Sequence, residues 1–275
     1  MSALPLGAGP TETGGPSTAV SAWRAWRNAL SLARRSLIKV ARKPEALIDV
    51  TLQPVIFLAL FTYIFGGALG AAGSRHQYLQ FLLPGLLGQS IAMAGVALGQ
   101  NLNVDIEKGV FDRFRSLPIA RSAPLVGAVL ADVVRYLILC AMFLGFGSIM
   151  GFRIQTDAPR AVAALALAVG FALCFCWISV LVGMLARTSG AVQGIMFLLV
   201  LPLSFGSNVF VATSTLPGWL QAFVKINPIS HVVSAVRALL LGGPAASAVG
   251  WTLGWMVGLL VVFVPLALWA YRRRA

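Results

Sequence analysis

Side chains that could do chemistry are scarce in this sequence, and they gather in one polar stretch, residues 105–121. The stretch reads DIEKGVFDRFRSLPIAR and holds three of the eight acidic residues of the 275-residue chain. Long apolar segments lie on both sides of it. So many charges cannot be placed in the ~30 Å hydrocarbon core of a bilayer. The stretch is therefore expected in water between two membrane spans, where it could contact a soluble partner.

Signals of enzyme chemistry are absent from the sequence. A phosphate-binding loop ends in Gly-Lys-Ser or Gly-Lys-Thr, and no lysine of this chain follows a glycine. Cys140, Cys174 and Cys176 fall in apolar segments, where they are expected to pack rather than to bind metal or do redox chemistry. We therefore predict no catalytic residue, no metal site and no cofactor bound by this chain.

One pair of charged residues lies inside an apolar segment, and intramembrane charges often mark transport paths. Asp132 and Arg135 are three residues apart, so they can meet on one helix face and neutralise each other. A structural pair is the favoured interpretation, and a role in lining a path or in coupling is the alternative. The predicted spans contain no acidic residue near mid-membrane, so the sequence does not indicate a proton relay.

Prolines at positions 54, 84 and 202 lie inside apolar segments, where they bend a helix and free backbone carbonyls. Nearby polar side chains could bond those carbonyls, which is favoured, or could bond a ligand. Together with large apolar neighbours they form a candidate substrate path: Gln53, Phe57, Gln89, Met93, Phe197, Ser204 and Asn208.

The elements that position these residues are predicted to be membrane helices. Hydrophobic residues make up 59% of the chain, more than a soluble globular domain carries. An all-α protein with six spans is expected, at about 46–69, 78–100, 124–150, 161–185, 191–211 and 250–271. Glycines recur four apart in three of these segments, at 95 and 99, at 190 and 194, and at 250, 254 and 258, which favours close helix packing.

The segments outside the spans have patterns of their own. Residues 1–21, rich in Gly, Pro, Ser and Thr, are predicted to be a disordered tail. Over residues 22–43 apolar side chains recur every three or four positions opposite basic ones, which predicts an amphipathic helix in the membrane interface. An ordinary basic tail is the alternative. Residues 44–275 then form the transmembrane domain.

Between the fifth and sixth predicted spans lies a moderately apolar block, residues 216–243. Pro217, Pro228 and a Gly-Gly-Pro turn divide it into pieces too short to cross a membrane. We expect two short, half-buried helices at the outer face, with Lys225, His231 and Arg237 near water.

Basic residues predict the orientation of the chain. With the N-terminus in the cytosol, fifteen of the 21 Lys and Arg residues lie inside and five outside, with Arg135 in a span. Both termini and residues 105–121 are therefore expected in the cytosol. Topology and lipid contact explain the net charge of +13 better than nucleic-acid binding does.

Several motifs are shared with a known family. The run DIEKGVFDRFRSLPIARSAPLVGAVLAD resembles the signature of type 2 ABC exporter permeases, most closely the daunorubicin and doxorubicin resistance group that includes DrrB-like proteins. A second likeness lies in LPLSFGSNVFV, in LPGWLQAFVKINPISHVVSAVRALLLGG and in the closing YRRR. The resemblance covers the chain from about Trp23 to its C-terminus.

The resemblance implies that the polar stretch forms a coupling helix that docks in a cleft of a separate ATPase. The contact residues carried over by position are Asp105, Glu107, Lys108, Gly109, Phe111, Asp112, Arg113, Phe114 and Arg115. Phe111 and Phe114 would anchor in the cleft, and the charges would set partner choice and register.

A complex of two permease chains, expected to be a homodimer, and two ATPases that bind ATP and Mg is implied in turn. Substrate would pass between the permeases along the first, second and fifth spans, out of a bacterial plasma membrane. The expected substrate is an amphipathic drug, antibiotic or lipid. A secondary carrier or channel acting alone, or a membrane scaffold without transport, is the alternative.

Overall fold

A computed structural model describes residues 44–69, 75–108 and 123–274 of the chain. Within these ranges the chain is helical and contains no β-strand, which confirms the all-α prediction. The predicted tail, the interfacial helix of residues 22–43 and residues 109–121 of the polar stretch lie outside the described residues, so the predictions made for them stay predictions.

The described helices are numbered here in chain order. They are α1 (Pro44–Leu69), α2 (Arg75–Ala94), α3 (Val96–Glu107), α4 (Ala123–Ile149), α5 (Ala158–Leu185), α6 (Ser189–Phe205), α7 (Gly218–Ile226), α8 (Pro228–Leu241) and α9 (Ala246–Arg274).

Four segments of the described chain are long and apolar enough to cross a membrane. They are Arg75–Glu107, Asp132–Ile149, Ala158–Leu185 and Ala246–Tyr271. The number rises to five if α7 and α8, which meet at a bend of 78°, form one broken span. Shorter apolar helices cover Leu52–Gly67 and Ser189–Phe205. The total of six spans therefore stays a prediction.

The second predicted span is longer than its apolar pattern indicated. Helix continues through α3 to Glu107, so Asp105 lies in the last turn of a helix rather than in a loop. Lys108 ends it, and its backbone N–H donates to the carbonyl of Val104 at 3.0 Å. In the sequence a glycine, which is common just after a helix end, follows at position 109.

A tightened turn at Gly95 separates α2 from α3. Leu98 N–H donates to the carbonyl of Gly95, three residues back, at 3.3 Å. Other helices supply donors to the two carbonyls at this turn. Arg135 Nη2 of α4 donates to the carbonyl of Ala94, and Ser179 Oγ of α5 donates to that of Gly95 at 2.6 Å.

Glycine spacing predicted close packing correctly in one of the three segments. A Cβ atom at Gly99 would collide with the backbone of Ser179, and one at Gly183 would collide with the backbone of Gly99. The glycines at 190, 194, 250, 254 and 258 differ, because a Cβ there would meet no described atom within 4 Å. The described part of the single chain shows no close packing at those glycines, so for those two segments close packing stays a prediction.

α5 lies at the centre of the described fold. It packs against α3, α4, α8 and α9, and its small residues, such as Ala164 and Ala168, are fully buried. Large side chains of α2 and α5, among them Leu83, Leu87 and Phe175, fill the space between them. The core therefore fixes α2 and α3 against α5, while much of α1 and α9 is exposed.

The fifth predicted span ends early, since α6 stops at Phe205 rather than near residue 211. Pro202 and Gly206 weaken the helix here. Asn227 then supplies donors to carbonyls at the helix end, because its Nδ2 donates to those of Leu203 at 2.6 Å and Gly206 at 2.9 Å. The Asn227 amide replaces the backbone N–H donors that a longer helix would supply, so the helix can end here without unpaired carbonyls at Leu203 and Gly206.

Two helices occupy the block between the fifth and sixth predicted spans, as expected. In α8, eight of the fourteen residues are buried, which is more burial than the prediction of a half-buried helix implied. The placement of Arg237 near water is wrong. Its guanidinium turns inward, donating to the carbonyls of Phe81 at 3.1 Å and Asn208 at 3.0 Å, and it lies 3.8 Å from the ring centroid of Phe81. Lys225 is exposed as predicted.

Candidate functional site

A cavity of about 570 Å³ opens between α1, α2 and α6. Five of the seven residues predicted to form a substrate path line it: Gln53, Phe57, Gln89, Met93 and Phe197. They come from two consecutive helices, α1 and α2, and from α6, which lies about a hundred residues further along the chain. The structure therefore brings most of the predicted path residues into one place.

Stacked aromatic rings form one side of this cavity. Phe57 and Phe61 lie one helical turn apart on α1, with ring centroids 5.9 Å apart. Phe210, from the segment after α6, packs on Phe61 at 4.9 Å and on Phe205 at 5.4 Å. We call these four residues the aromatic wall. Offset ring contacts of this kind are favourable beyond their burial of apolar area.

Three polar residues, Gln53, Gln89 and Ser90, interrupt the otherwise apolar lining. The side-chain oxygen of Gln89 is buried, and it has no hydrogen-bond partner among the described residues. An unpaired buried acceptor costs about 1–3 kcal/mol. Because this oxygen has almost no accessible surface, a ligand hydroxyl or amine could pair with it only after the Gln89 side chain turns into the cavity. No lining residue is charged.

Two predicted path residues, Ser204 and Asn208, do not line the cavity. Ser204 is fully buried near the end of α6. Asn208 Nδ2 donates to Ser234 Oγ of α8 at 2.7 Å. Asn208 therefore joins the segment after α6 to α8, and it serves the fold rather than the cavity surface.

Asp132 and Arg135 form the predicted pair, with Arg135 Nη2 2.8 Å from Asp132 Oδ2. Both side chains are largely buried, at 14% and 13% exposure. Neither lines the cavity, although the carbonyl that Arg135 also binds belongs to Ala94, which does. The geometry fits the structural interpretation, because each charge has a partner and the cation also braces the Gly95 turn.

We call residues 105–115 the docking stretch. Of the contact residues predicted within it, the structure describes Asp105, Glu107 and Lys108. All three side chains are exposed at the end of α3. The other predicted contact residues, Gly109, Phe111, Asp112, Arg113, Phe114 and Arg115, lie outside the described residues.

Asn103, which sequence reasoning missed, lies beside the docking stretch and is fully buried. Its Nδ2 donates to the carbonyls of Gly183 and Ala186, each at 2.9 Å. Only its position in a polar run, NLNVDIE, could have drawn attention to it.

The three cysteines are free and buried, as packing residues would be. Across residues 44–69, 75–108 and 123–274 no group of His, Cys, Asp and Glu side chains could hold a metal ion.

The sequence profile of the ABC-2 type transporter family matches residues 27–241. These residues include the cavity lining, the docking stretch, α7 and α8. The chain belongs to the ABC-2 type transporter family. It is 41% identical over 240 residues to the daunorubicin resistance ABC transporter permease protein DrrB1 of Streptomyces coeruleorubidus, covering 87% of this chain and 84% of that protein.

Other ABC-2 relatives are more distant and are also permeases by name. The doxorubicin resistance ABC transporter permease protein DrrB of Mycobacterium tuberculosis is 28% identical, over 76% of each chain. The inner membrane transport permease YadH of Escherichia coli is 28% identical, over 71% of this chain and 77% of its own length. These matches confirm the family recognised in the sequence and a role in membrane transport.

Proposed function

We propose that this chain is the membrane-spanning permease of an ATP-driven exporter that moves an amphipathic drug, antibiotic or lipid out of the cell. The cavity carries this proposal, because its aromatic wall and apolar lining suit a flat apolar ligand and its few polar groups can orient one. Resistance to daunorubicin and doxorubicin in the names of two relatives supports the drug class.

Energy would come from a separate ATPase subunit that binds ATP and Mg. Two such subunits would pair with two copies of this chain, and the residues from Asp105 to Arg115 would dock on them. Exposed charges at the end of α3 support this arrangement, since rim charges select partners and fix register. ATP binding would favour one of two arrangements of the helices and so alternate access to the cavity.

The second permease would close the open side of the cavity. Phe57, Phe197 and Phe205 line the cavity and are also 43%, 54% and 61% exposed in the single chain. Apolar area of this kind can be covered by lipid or by a second copy. The complex would lie in a bacterial plasma membrane with both termini of each chain in the cytosol, as the distribution of basic residues predicts.

Transport in proteoliposomes tests the proposal. The chain, reconstituted with its ABC ATPase, should move daunorubicin or a fluorescent phospholipid only when ATP is hydrolysed. Phe61→Ala, which removes the central ring of the aromatic wall, should slow transport about fivefold, because ring contacts contribute on the order of 1 kcal/mol beyond burial.

Phe65→Ala is the matched control. Phe65 stacks on Phe61 at 5.2 Å from the next turn of α1, but it does not line the cavity, so its loss should matter less. Equal losses in the two variants would argue against the cavity as the binding site. ATP-independent transport would point to a carrier acting alone, and stable ATPase binding without any transport would point to a scaffold.

A further inference from the structure

The amide of Asn103 bonds to a helix end that needs donors. α5 ends at Leu185, and the last carbonyls of a helix have no intrahelical partner. Asn103 Nδ2 donates to two carbonyls at that end, those of Gly183 and Ala186. One buried side chain of α3 thus holds the place where α5 turns toward α6.

Close packing adds to these bonds. Gly99, one turn before Asn103, touches the backbone of α5 so closely that neither Gly99 nor Gly183 leaves room for a Cβ atom. Ser179 Oγ bonds the carbonyl of Gly95 at the start of α3. α3 is therefore fixed to α5 along most of its length and cannot slide without breaking contacts at each of these points.

The turn held by Asn103 leads directly into a helix of the cavity. Only Ala186, Arg187 and Thr188 separate α5 from α6, and Thr188 caps α6 by accepting a bond from Ala191 N–H at 3.2 Å. α6 carries Phe197 and Phe205 to the cavity. A displacement of this turn therefore moves a wall of the cavity.

We propose that Asn103 is a positioning residue that ties the docking end of α3 to the turn between α5 and α6. When the ATPase displaces residues 105–108, the turn moves with them and carries the start of α6, which alters the cavity. The coupling role rests on the proposed exporter function, whereas the tie itself is a property of this chain. Two sites are then linked through a discrete contact that one side chain controls.

Asn103→Leu tests the role in the reconstituted complex, because leucine has a similar size and donates no hydrogen bond. We expect ATP hydrolysis and ATPase binding to persist while the number of molecules transported per ATP falls about tenfold, a typical size for coupling between sites. Asn101→Leu is the matched control, since it makes the same change on an exposed position of the same helix. An unchanged ratio in Asn103→Leu, or an equal fall in Asn101→Leu, would overturn the role.

Spin labels test the tie independently of transport. Lys108 and Arg187 are exposed in the single chain, so Lys108→Cys and Arg187→Cys can both be labelled before the ATPase subunits are added to form the full complex. The distance between the labels should be the same with and without ATP, and its distribution should broaden in Asn103→Leu. A distance that changes with ATP would refute the tie even if the wild type transports. A constant distance that broadens in the variant, without wild-type transport, would support the tie and refute the exporter function.

Discussion

At the scale of single residues, Gln89 is the side chain of the cavity that bears most directly on the proposed ligand. Its amide lies in an apolar surface, and the oxygen is buried without a partner among the described residues. Stability alone gives no reason for such a group, because an apolar side chain of similar shape would be neutral or better. A ligand with a hydrogen-bond donor does give one.

Gln89→Leu should therefore weaken binding of daunorubicin, which carries hydroxyl and amine donors, by about fivefold to tenfold, the value of about one hydrogen bond. Thermal stability should stay the same or rise. Fluorescence titration in detergent measures the first effect and a thermal melt the second. Gln100→Leu, a change in α3 away from the cavity, should leave the affinity unchanged. If both variants bind daunorubicin as tightly as the wild type does, Gln89 does not contact the ligand.

Arg237 is a second residue whose role depends on where its side chain points. Its guanidinium donates to two backbone carbonyls and stacks on Phe81, which joins α8 to α2 and to the segment after α6. Lysine cannot reproduce this fork of donors. Arg237→Lys should lower the free energy of unfolding by about 2–3 kcal/mol, since bonds from a charged donor are lost.

Thermal melts of the purified protein measure this change. Lys225→Met removes an exposed cation from the neighbouring helix and should have little effect. A melt of Arg237→Lys that matches the wild type would mean that the bonds to Phe81 and Asn208 add nothing to stability.

Among the helices, the pairing of α3 with α5 depends on the absence of side chains. Gly99→Ala places a methyl group against the backbone of Ser179, and backbone cannot move aside as a side chain can. We expect a loss of about 1–3 kcal/mol of stability, as overpacking usually causes. Gly254→Ala is the matched change on α9, where the new methyl group meets no described atom within 4 Å.

Gly254→Ala should be neutral or slightly stabilising, because alanine favours helix over glycine by up to ~1 kcal/mol. The difference between the two melting temperatures in the same detergent measures the packing effect. Equal melting temperatures would show that α3 and α5 do not approach each other as closely as described.

Sequence patterns predicted the helical class and five of the fourteen residues that line the cavity, and the reasons for the misses are physical. Gln53 and Gln89 were found because polar residues are rare in apolar segments. Phe205 and Phe210 were missed because their positions depend on where α6 ends, at Gly206, and hydropathy does not locate that end.

Partners distant in sequence explain the remaining misses. Asn103 gains its role from carbonyls 80 and 83 residues away, and Arg237 from one 156 residues away. No local pattern reports such contacts. The equal spacing of glycines likewise cannot say which of them lie in close contact with another helix, and within the described residues only Gly95 and Gly99 do so among the three segments.

For the whole molecule, orientation is the property on which the exporter proposal depends most. Lys108 at the end of α3 and Lys225 in α7 are both exposed, and they are predicted on opposite sides of the membrane. Lys225→Cys should react with a membrane-impermeant thiol reagent in intact cells, whereas Lys108→Cys should react only after the membrane is permeabilised.

The three native cysteines are buried, so their background labelling should be low. Reaction of Lys108→Cys in intact cells would place the docking stretch outside, where no ATP-driven subunit could reach it. The same result would remove the basis for the proposed complex of permease and ATPase.

The length of the second membrane segment has a mechanical consequence. Its 33 residues, Arg75–Glu107, extend about 50 Å at a rise of ~1.5 Å per residue. A bilayer with its head groups is only about 40–45 Å thick. An upright helix of this length, with Arg75 at the outer surface as the basic residues predict, would extend beyond the lipid at the end that bears Asp105. An ATPase subunit could then bind the protruding end of the helix and tilt it without first displacing lipid head groups.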